Sequence, residues 1–162
     1  MKITNFKAEY VNGYLKFDID FNDNLTFLIG INGAGKTTAI KLILGLLSPS
    51  WLNLTQIKYD FAEVECNLNK ERILIRSEYI DEGKIKLSIE YLDKDEENLT
   101  TSTVRVQDLP NLQVNEFSRM ETRQIFTRYS RYESHFADLD AVKKIRSLIT
   151  PIFLGLDRRI HE

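Results

Sequence analysis

Gly30-Ile31-Asn32-Gly33-Ala34-Gly35-Lys36-Thr37-Thr38 is the stretch that decides how this chain reads. Gly30, Gly35, Lys36 and Thr37 occupy the fixed positions of G-x-x-x-x-G-K-[ST], the pattern of a phosphate-binding loop. A triphosphate must be wrapped by backbone N–H groups, and side chains at Gly33 or Gly35 would block that approach or the positive φ it requires. The stretch from Gly30 to Thr38 is therefore the candidate nucleotide cradle. Within it, Lys36 can set an ammonium against the terminal phosphates and stabilise their charge. The Thr37 hydroxyl can complete the shell of a Mg²⁺ ion, and Thr38 can add a phosphate contact.

The flanks agree with the motif. Leu25-Thr26-Phe27-Leu28-Ile29 leads in as an apolar run of strand type, and Ala39-Ile40-Lys41-Leu42-Ile43-Leu44-Gly45-Leu46-Leu47 leads out at helical spacing. A helix starting there points its N-terminal N–H groups and positive dipole end at the phosphates. A Gly-rich turn fitting the pattern by accident would need the glycine spacing, the Lys-Thr pair, the run and the helix all to coincide.

Working outward, Lys2 to Tyr10 and Tyr14 to Phe21 alternate as strands around Asn12-Gly13, a strong hairpin signal. Asn22-Asp23-Asn24 turns the chain into the run before the loop, and Ser48-Pro49-Ser50 stops the helix after it. The periodicity then changes to two. Ile57, Tyr59 and Phe61 share one phase while Val64, Cys66 and Leu68 share the other, which predicts a strand with a bulge or break near Ala62. Ile73, Ile75 and Tyr79, then Ile85, Leu87, Ile89 and Tyr91, give two more strands joined through Asp81-Glu82-Gly83, and the spacing predicts an antiparallel sheet over 55–92. Asp93 to Asn98 reads as a solvated loop rather than a metal site, and Leu99 to Val106 as a further strand.

With these residues in place, Asn32 to Thr38 resembles the phosphate loop of ABC-type ATPases, and Ile3 to Leu47 looks like the opening of their SMC, RecF and OLD-like branch. The matching residues are Ile3-Thr4-Asn5-Phe6 and the run from Phe21 to Gly33. The resemblance implies an α/β P-loop NTPase fold of ABC-ATPase type. Its phosphate-loop core would lie in 1–54, an adjoining antiparallel β subdomain in 55–106, and C-terminal helices with a final strand in 107–162. It also implies ATP and Mg²⁺ as ligands, and a glutamine near the end of a strand that contacts Mg²⁺ and the attacking water. Gln107 and Gln113 are the candidates, each read more simply as an ordinary polar loop residue.

Residues 116–135 read as a helix with Phe117, Met120, Ile125 and Phe126 inward. Arg119, Arg123, Arg128 and Arg131, interleaved with Tyr129 and Tyr132, make a basic aromatic surface suited to nucleic-acid phosphate or a partner. A solvated face balanced by Glu121 and Glu133 is the simpler and preferred reading of the same residues. Asp138 or Asp140 is the expected cap of a helix over 141–149. The apolar run Ile152 to Leu156 closes on Asp157, but Arg158 stands where a catalytic Glu would be expected. The end of the chain more closely resembles a mid-domain strand followed by a basic run in OLD-like and phage-defence ATPases.

No Leu-Ser-Gly-Gly signature, no apolar run ending in Asp-Glu and no switch histidine occurs in these residues, so the general base is not identified. The expectation is the N-terminal lobe of a longer ATPase, as a fragment or a split subunit. Its site would be completed by the remainder of the enzyme or by a second ATPase subunit in a head-to-tail dimer. DNA in a repair or defence assembly and an effector protein are the further partners this reading brings. A non-hydrolysing nucleotide-binding regulator needs only the loop, whereas a kinase or GTPase would need an acceptor site or an Asn-Lys-x-Asp segment, and neither is found.

Composition narrows the class without deciding it. The chain has 162 residues with 43% hydrophobic and 28% charged, enough for one packed domain and unlike a disordered chain. A net charge of −2 gives no global attraction to nucleic acid. The single cysteine, Cys66, excludes an internal disulfide and reads as a packing residue. Two histidines form no metal or triad constellation. The longest apolar stretch is too short to span a bilayer and no leader is visible, so a cytoplasmic protein without membrane contact is expected.

Overall fold

Alternation at period two places strand residues on two faces of a sheet, and the chain builds most of its structure from that rule. The computed structural model describes residues 1–81, 83–93, 99–106 and 136–148. Six strands, β1 (Lys2–Val11), β2 (Leu15–Asp20), β3 (Phe61–Leu68), β4 (Glu71–Asp81), β5 (Lys84–Tyr91) and β6 (Thr100–Arg105), form one antiparallel sheet in the order β2-β1-β3-β4-β5-β6. The opening hairpin and the meander, which the sequence assigns to separate parts of the lobe, are thus hydrogen-bonded neighbours through β1 and β3.

One face of the sheet is apolar. Phe6, Ala8, Ala62, Val64, Cys66, Ile73, Ile75, Ile85, Leu87 and Ile89 are all fully buried on it. Each such large side chain contributes about 1.5–3 kcal/mol through burial. Helix α1 (Lys36–Leu47) covers this face at β3 and β4, and α3 (Asp140–Arg146) covers it at β5 and β6. A short helix α2 (Trp51–Gln56) packs on α1, with the Ser50 side chain accepting from the Asn53 N–H at its start. Trp51 is buried and meets the Phe136 ring edge-on at 6.2 Å. The result is a two-layer arrangement of helices on one side of a sheet.

The opposite face is held by ion pairs across the strands. Arg72 forks onto Glu65 at 2.9 Å, Arg76 bridges Glu63 at 2.8 Å and Glu78 at 3.1 Å, and Lys86 reaches Glu78 at 3.1 Å. The Arg76 guanidinium also lies 4.2 Å above the Phe61 ring. Opposite charges directly across an antiparallel pair each add a few tenths to about 1 kcal/mol.

Three expectations need correction. Near Ala62 the alternative of a break holds and the bulge does not: β3 begins only at Phe61, so the sheet does not extend back to residue 55, and it pairs with β4 without a register shift from Phe61 to Leu68. Thr55 and Gln56 belong to α2, and residues 57–60 run irregularly because their backbone bonds to the end of β1 and to β4. Asp60 N–H donates to Glu9 O at 3.0 Å, and Tyr79 N–H donates to Asp60 O at 3.1 Å. Next, neither Asp138 nor Asp140 caps α3. Its N-cap residue is Leu139, and the hydroxyl of Ser102 on β6 accepts from the Ala141 N–H at 3.0 Å, while Asp138 pairs with Lys143 at 3.1 Å.

The third correction concerns the run before the loop. Residues 25–29 join no strand ladder, and Leu25, Phe27, Ile29 and Ile31 are 62%, 74%, 92% and 83% exposed. A period-two apolar pattern becomes a strand only when a neighbour supplies its hydrogen bonds, and among the described residues none does. Among the described residues, no helix is long and apolar enough to cross a membrane.

Candidate nucleotide-binding site

The loop is built as its glycines require. Gly33 and Gly35 adopt φ of 89° and 84°, a region that β-carbon sterics close to most residues. At Gly33 a Cβ would meet nothing within 4 Å, so the demand there is purely conformational. Gly35 is more constrained: a Cβ would fall 2.7 Å from Phe17 Cζ and 2.9 Å from Leu15 Cδ1. Strand β2 therefore packs directly beneath the loop, and only glycine lets the backbone come that close.

Gly35 is also the N-cap of α1, and its carbonyl accepts from the Ala39 N–H at 2.9 Å to open the helix. No side chain caps this end. The first N–H groups of a 12-residue helix consequently face the loop, where they and the positive dipole end suit an anion. An inner turn, Ala34 N–H to Ile31 O at 3.2 Å, curls the loop over that end.

Lys36 crosses the loop. Its Nζ donates to Gly30 O at 2.6 Å and to Ile31 O at 3.0 Å, which fixes the ammonium at the concave side of the turn. Thr37, one residue into the helix, is exposed, and Thr38 is half-buried beside it. Asn32 is exposed at the crest. The structure thus brings the stretch Gly30–Thr38 together as one concave turn with a cation, two hydroxyls and a helix end.

These residues fit a bound nucleoside triphosphate and its metal. Gly33 and Gly35 take the positive φ such a loop requires, Lys36 supplies the full charge, and Thr37 carries the hydroxyl suited to Mg²⁺. Among the described residues no group of three or more acidic, histidine or cysteine side chains could hold a metal ion. Gln107, Gln113, Arg119, Arg123, Arg128, Arg131 and Asp157 lie outside the described residues.

The hairpin beside the loop carries features that sequence reading passed over. Asn5, in the opening stretch, ties β1 to β2 by donating to Asp18 at 3.2 Å and Asp20 at 2.7 Å. Lys2 pairs with Asp23, anchoring the turn that precedes the run. At the other end of the hairpin a cavity of about 420 Å³ opens between Glu9, Tyr10, Gly13, Tyr14, Leu15 and Lys16. The signal was two tyrosines astride Asn12-Gly13, visible in the sequence but readable there only as strand ends.

The sequence profile of a family described as AAA ATPase domain matches residues 1–151. No curated protein matches the chain.

Proposed function

The chain belongs to the AAA ATPase domain family, an ATP-binding, ATPase-type P-loop NTPase family, and from that premise we propose that residues 30–38 bind ATP with Mg²⁺ as part of an ATPase of the SMC, RecF and OLD-like branch. The observation that carries this reading is Lys36, clasped by the Gly30 and Ile31 carbonyls at the start of α1 and preceded by the two positive-φ glycines. Phosphate oxygens arriving in the turn would meet the N-terminal end of α1 and an ammonium already held at the loop. Little conformational entropy is then lost on binding. Lys36 neutralises charge at the terminal phosphates, Thr37 orients the metal through its hydroxyl, and the glycines let the backbone approach. Mg²⁺, when bound, draws charge from the phosphate oxygens and favours attack by water.

Hydrolysis also requires a positioned water and a base, which this reading assigns to the remainder of the ATPase or to a second subunit meeting it head to tail. The exposed apolar residues Leu25, Phe27, Ile29 and Ile31 beside the loop support such a partner, since a contiguous apolar stripe is a usual mark of an interaction surface. DNA, in a repair or defence assembly, is the proposed macromolecular context, with Arg119, Arg123, Arg128 and Arg131 as the contacts to test.

The test is binding of ATP, ADP and GTP to the chain, then phosphate release with and without DNA. Saturable Mg²⁺-dependent ATP binding supports the reading. Binding with no turnover under any condition favours a non-hydrolysing regulatory subunit, and no nucleotide binding at all overturns it. Salt-sensitive DNA affinity that falls when Arg123 and Arg128 become Glu supports the DNA role; its absence leaves that helix as a solvated face.

A further inference from the structure

We propose that Phe17 is a positioning residue of the phosphate site: its ring, seated beneath Gly35, sets the place from which Lys36 and the first turn of α1 meet a nucleotide's phosphates. This rests on the phosphate-loop reading above and adds to it a residue that touches no ligand.

The sheet explains why the ring reaches the loop. Phe17 pairs with Ala8 of β1 and Ala8 pairs with Ala62 of β3, so one row across three strands reads Phe17, Ala8, Ala62. Directly opposite residues share a face, and this row lies on the apolar face that α1 covers. Ala8 and Ala62 are fully buried but short, so Phe17 supplies the bulk of the row. The fully buried Phe6 backs it, with ring centroids 6.1 Å apart and the planes tilted by 37°. The Phe17 ring is thus held from the sheet side and stands half-buried where it leaves the sheet.

What it meets there is the bare backbone of Gly35. A Cβ on that residue would lie 2.7 Å from Phe17 Cζ, 3.3 Å from Phe17 Cε1 and 2.9 Å from Leu15 Cδ1. Non-bonded carbons settle about 3.5–4.0 Å apart, so these two side chains occupy the space that a side chain at position 35 would need. Cζ is the nearest atom, and the ring therefore meets Gly35 with its far end.

Gly35 passes this contact on to the phosphates. It takes φ of 84°, which glycine adopts and leaves at little cost. Its carbonyl opens α1 by accepting from the Ala39 N–H, and the next residue is Lys36, whose Nζ reaches back to Gly30 O and Ile31 O. The ammonium and the helix end both depend on where Gly35 sits. No side-chain cap fixes this end of α1, so the wall built by β2 is what limits the glycine's freedom. A loop already kept in its binding shape need not be selected from alternatives by the ligand, and apparent affinity rises accordingly.

A ring that only fills the core would change stability and leave the affinity of the folded chain alone. A ring that positions the loop changes affinity for any ligand with these phosphates, base or no base. The test titrates Mg²⁺–ATP and Mg²⁺–tripolyphosphate, which carries the phosphates alone, into the unaltered chain, Phe17→Ala, Phe17→Leu and Phe17→Tyr. Ile89→Ala, at a fully buried site on β5 toward the opposite edge of the sheet, is the control for lost stability, with circular dichroism and urea unfolding as fold checks.

Phe17→Ala should weaken both ligands by the same factor, about three- to thirtyfold, within the roughly hundredfold that a displacement of about 1 Å can cost a site. Phe17→Leu keeps part of the floor and should lose less. Phe17→Tyr keeps the ring but adds an oxygen at the atom nearest Gly35, so it too should weaken both ligands, and it carries the test if Phe17→Ala does not fold. Ile89→Ala should lose stability and keep its affinity. Unaltered affinity in folded Phe17→Ala or Phe17→Tyr, equal weakening in Ile89→Ala, or a loss confined to ATP overturns the positioning role while leaving the phosphate loop standing. Failure of the unaltered chain to bind either ligand overturns the loop reading, and this inference with it.

Discussion

Two stretches of this chain share one pattern and meet different fates. In β3, β4 and β5 the alternate residues Val64, Cys66, Ile73, Ile75, Ile85, Leu87 and Ile89 are wholly buried, whereas in the run before the loop Leu25, Phe27 and Ile29 stand more than half exposed. Hydrophobicity and period do not distinguish them. What differs is the neighbour: every β4 residue from Ile73 to Tyr79 has a partner on β5, and residues 25–29 have none among the described strands. Strand identity is thus a property of pairing, and apolar alternation states only a readiness to pair.

The comparison can be broken by mutation. The largest effect should come from the sheet: Ile75→Ala, at a site fully buried between strand neighbours and α1, should cost about 2–5 kcal/mol in urea unfolding. Phe27→Ser, chemically a more drastic change, should alter stability by less than about 0.5 kcal/mol, because the ring is 74% exposed. Equal losses at the two positions would show that the run is packed after all.

The loop glycines give the next contrast. Gly35→Ala meets both a φ of 84° and the Phe17 and Leu15 side chains, whereas Gly33→Ala meets only its φ of 89°. Backbone strain of about 1–2 kcal/mol is common to both, and overpacking adds about 1–3 kcal/mol at Gly35 alone. Thermal unfolding of the two variants checks the order, and a larger loss at Gly33 would contradict the packing of β2 beneath the loop.

Ser102→Ala should cost about 1 kcal/mol by removing the acceptor for the Ala141 N–H, with α3 losing amide protection first. Substitution of Asp140 by Asn should leave α3 nearly as stable, since that side chain makes no cap.

The smallest effects are those of titration. Burial works to raise the Glu78 carboxyl, but hydrogen bonds from Lys86 and Arg76 outweigh it and hold the group below its ordinary 4.5. A depressed folded pKa contributes stability that is present above the unfolded value and is lost as pH falls through the folded one. Glu78→Gln should therefore flatten the loss of stability below about pH 4.5 and leave the neutral plateau only slightly lowered, by the ~0.2–1 kcal/mol of a surface pair. Burial also pushes the Cys66 thiol up to about 12, so the native chain should resist alkylation at pH 8 and react only on unfolding.

How much of this was legible depends on the range of the interaction. The phosphate loop, the start of α1 beside Gly35, the Asn12-Gly13 hairpin and the β4–β5 pair follow from contacts between near neighbours, and local patterns carry them. The cap of α3 comes from a serine 39 positions away, so aspartates near Ala141 were misleading. The phase change at Ala62 reflects a bend at Asp60 fixed by bonds to β1 and β4, which no window around residue 62 contains. The strand expected before the loop failed because no strand among the described residues pairs with it, which local alternation does not reveal. Tyr10, with φ of 53°, escaped notice because a bulge is a property of two strands: that φ exists only once Ala8 has found Phe17 and Val11 has found Leu15. The arginines from 119 to 131, read as a surface, lie outside the described residues.

The central claim is that residues 30–38 hold ATP through Lys36, and calorimetric titration of Mg²⁺–ATP into the unaltered chain and into Lys36→Ala tests it most directly. Lys36→Ala removes the one full charge in the turn, and the loss of a charge-assisted contact of this kind should weaken binding at least about tenfold, or beyond detection, with the fold intact by circular dichroism. An unchanged affinity in Lys36→Ala would contradict the account and move the nucleotide away from the loop.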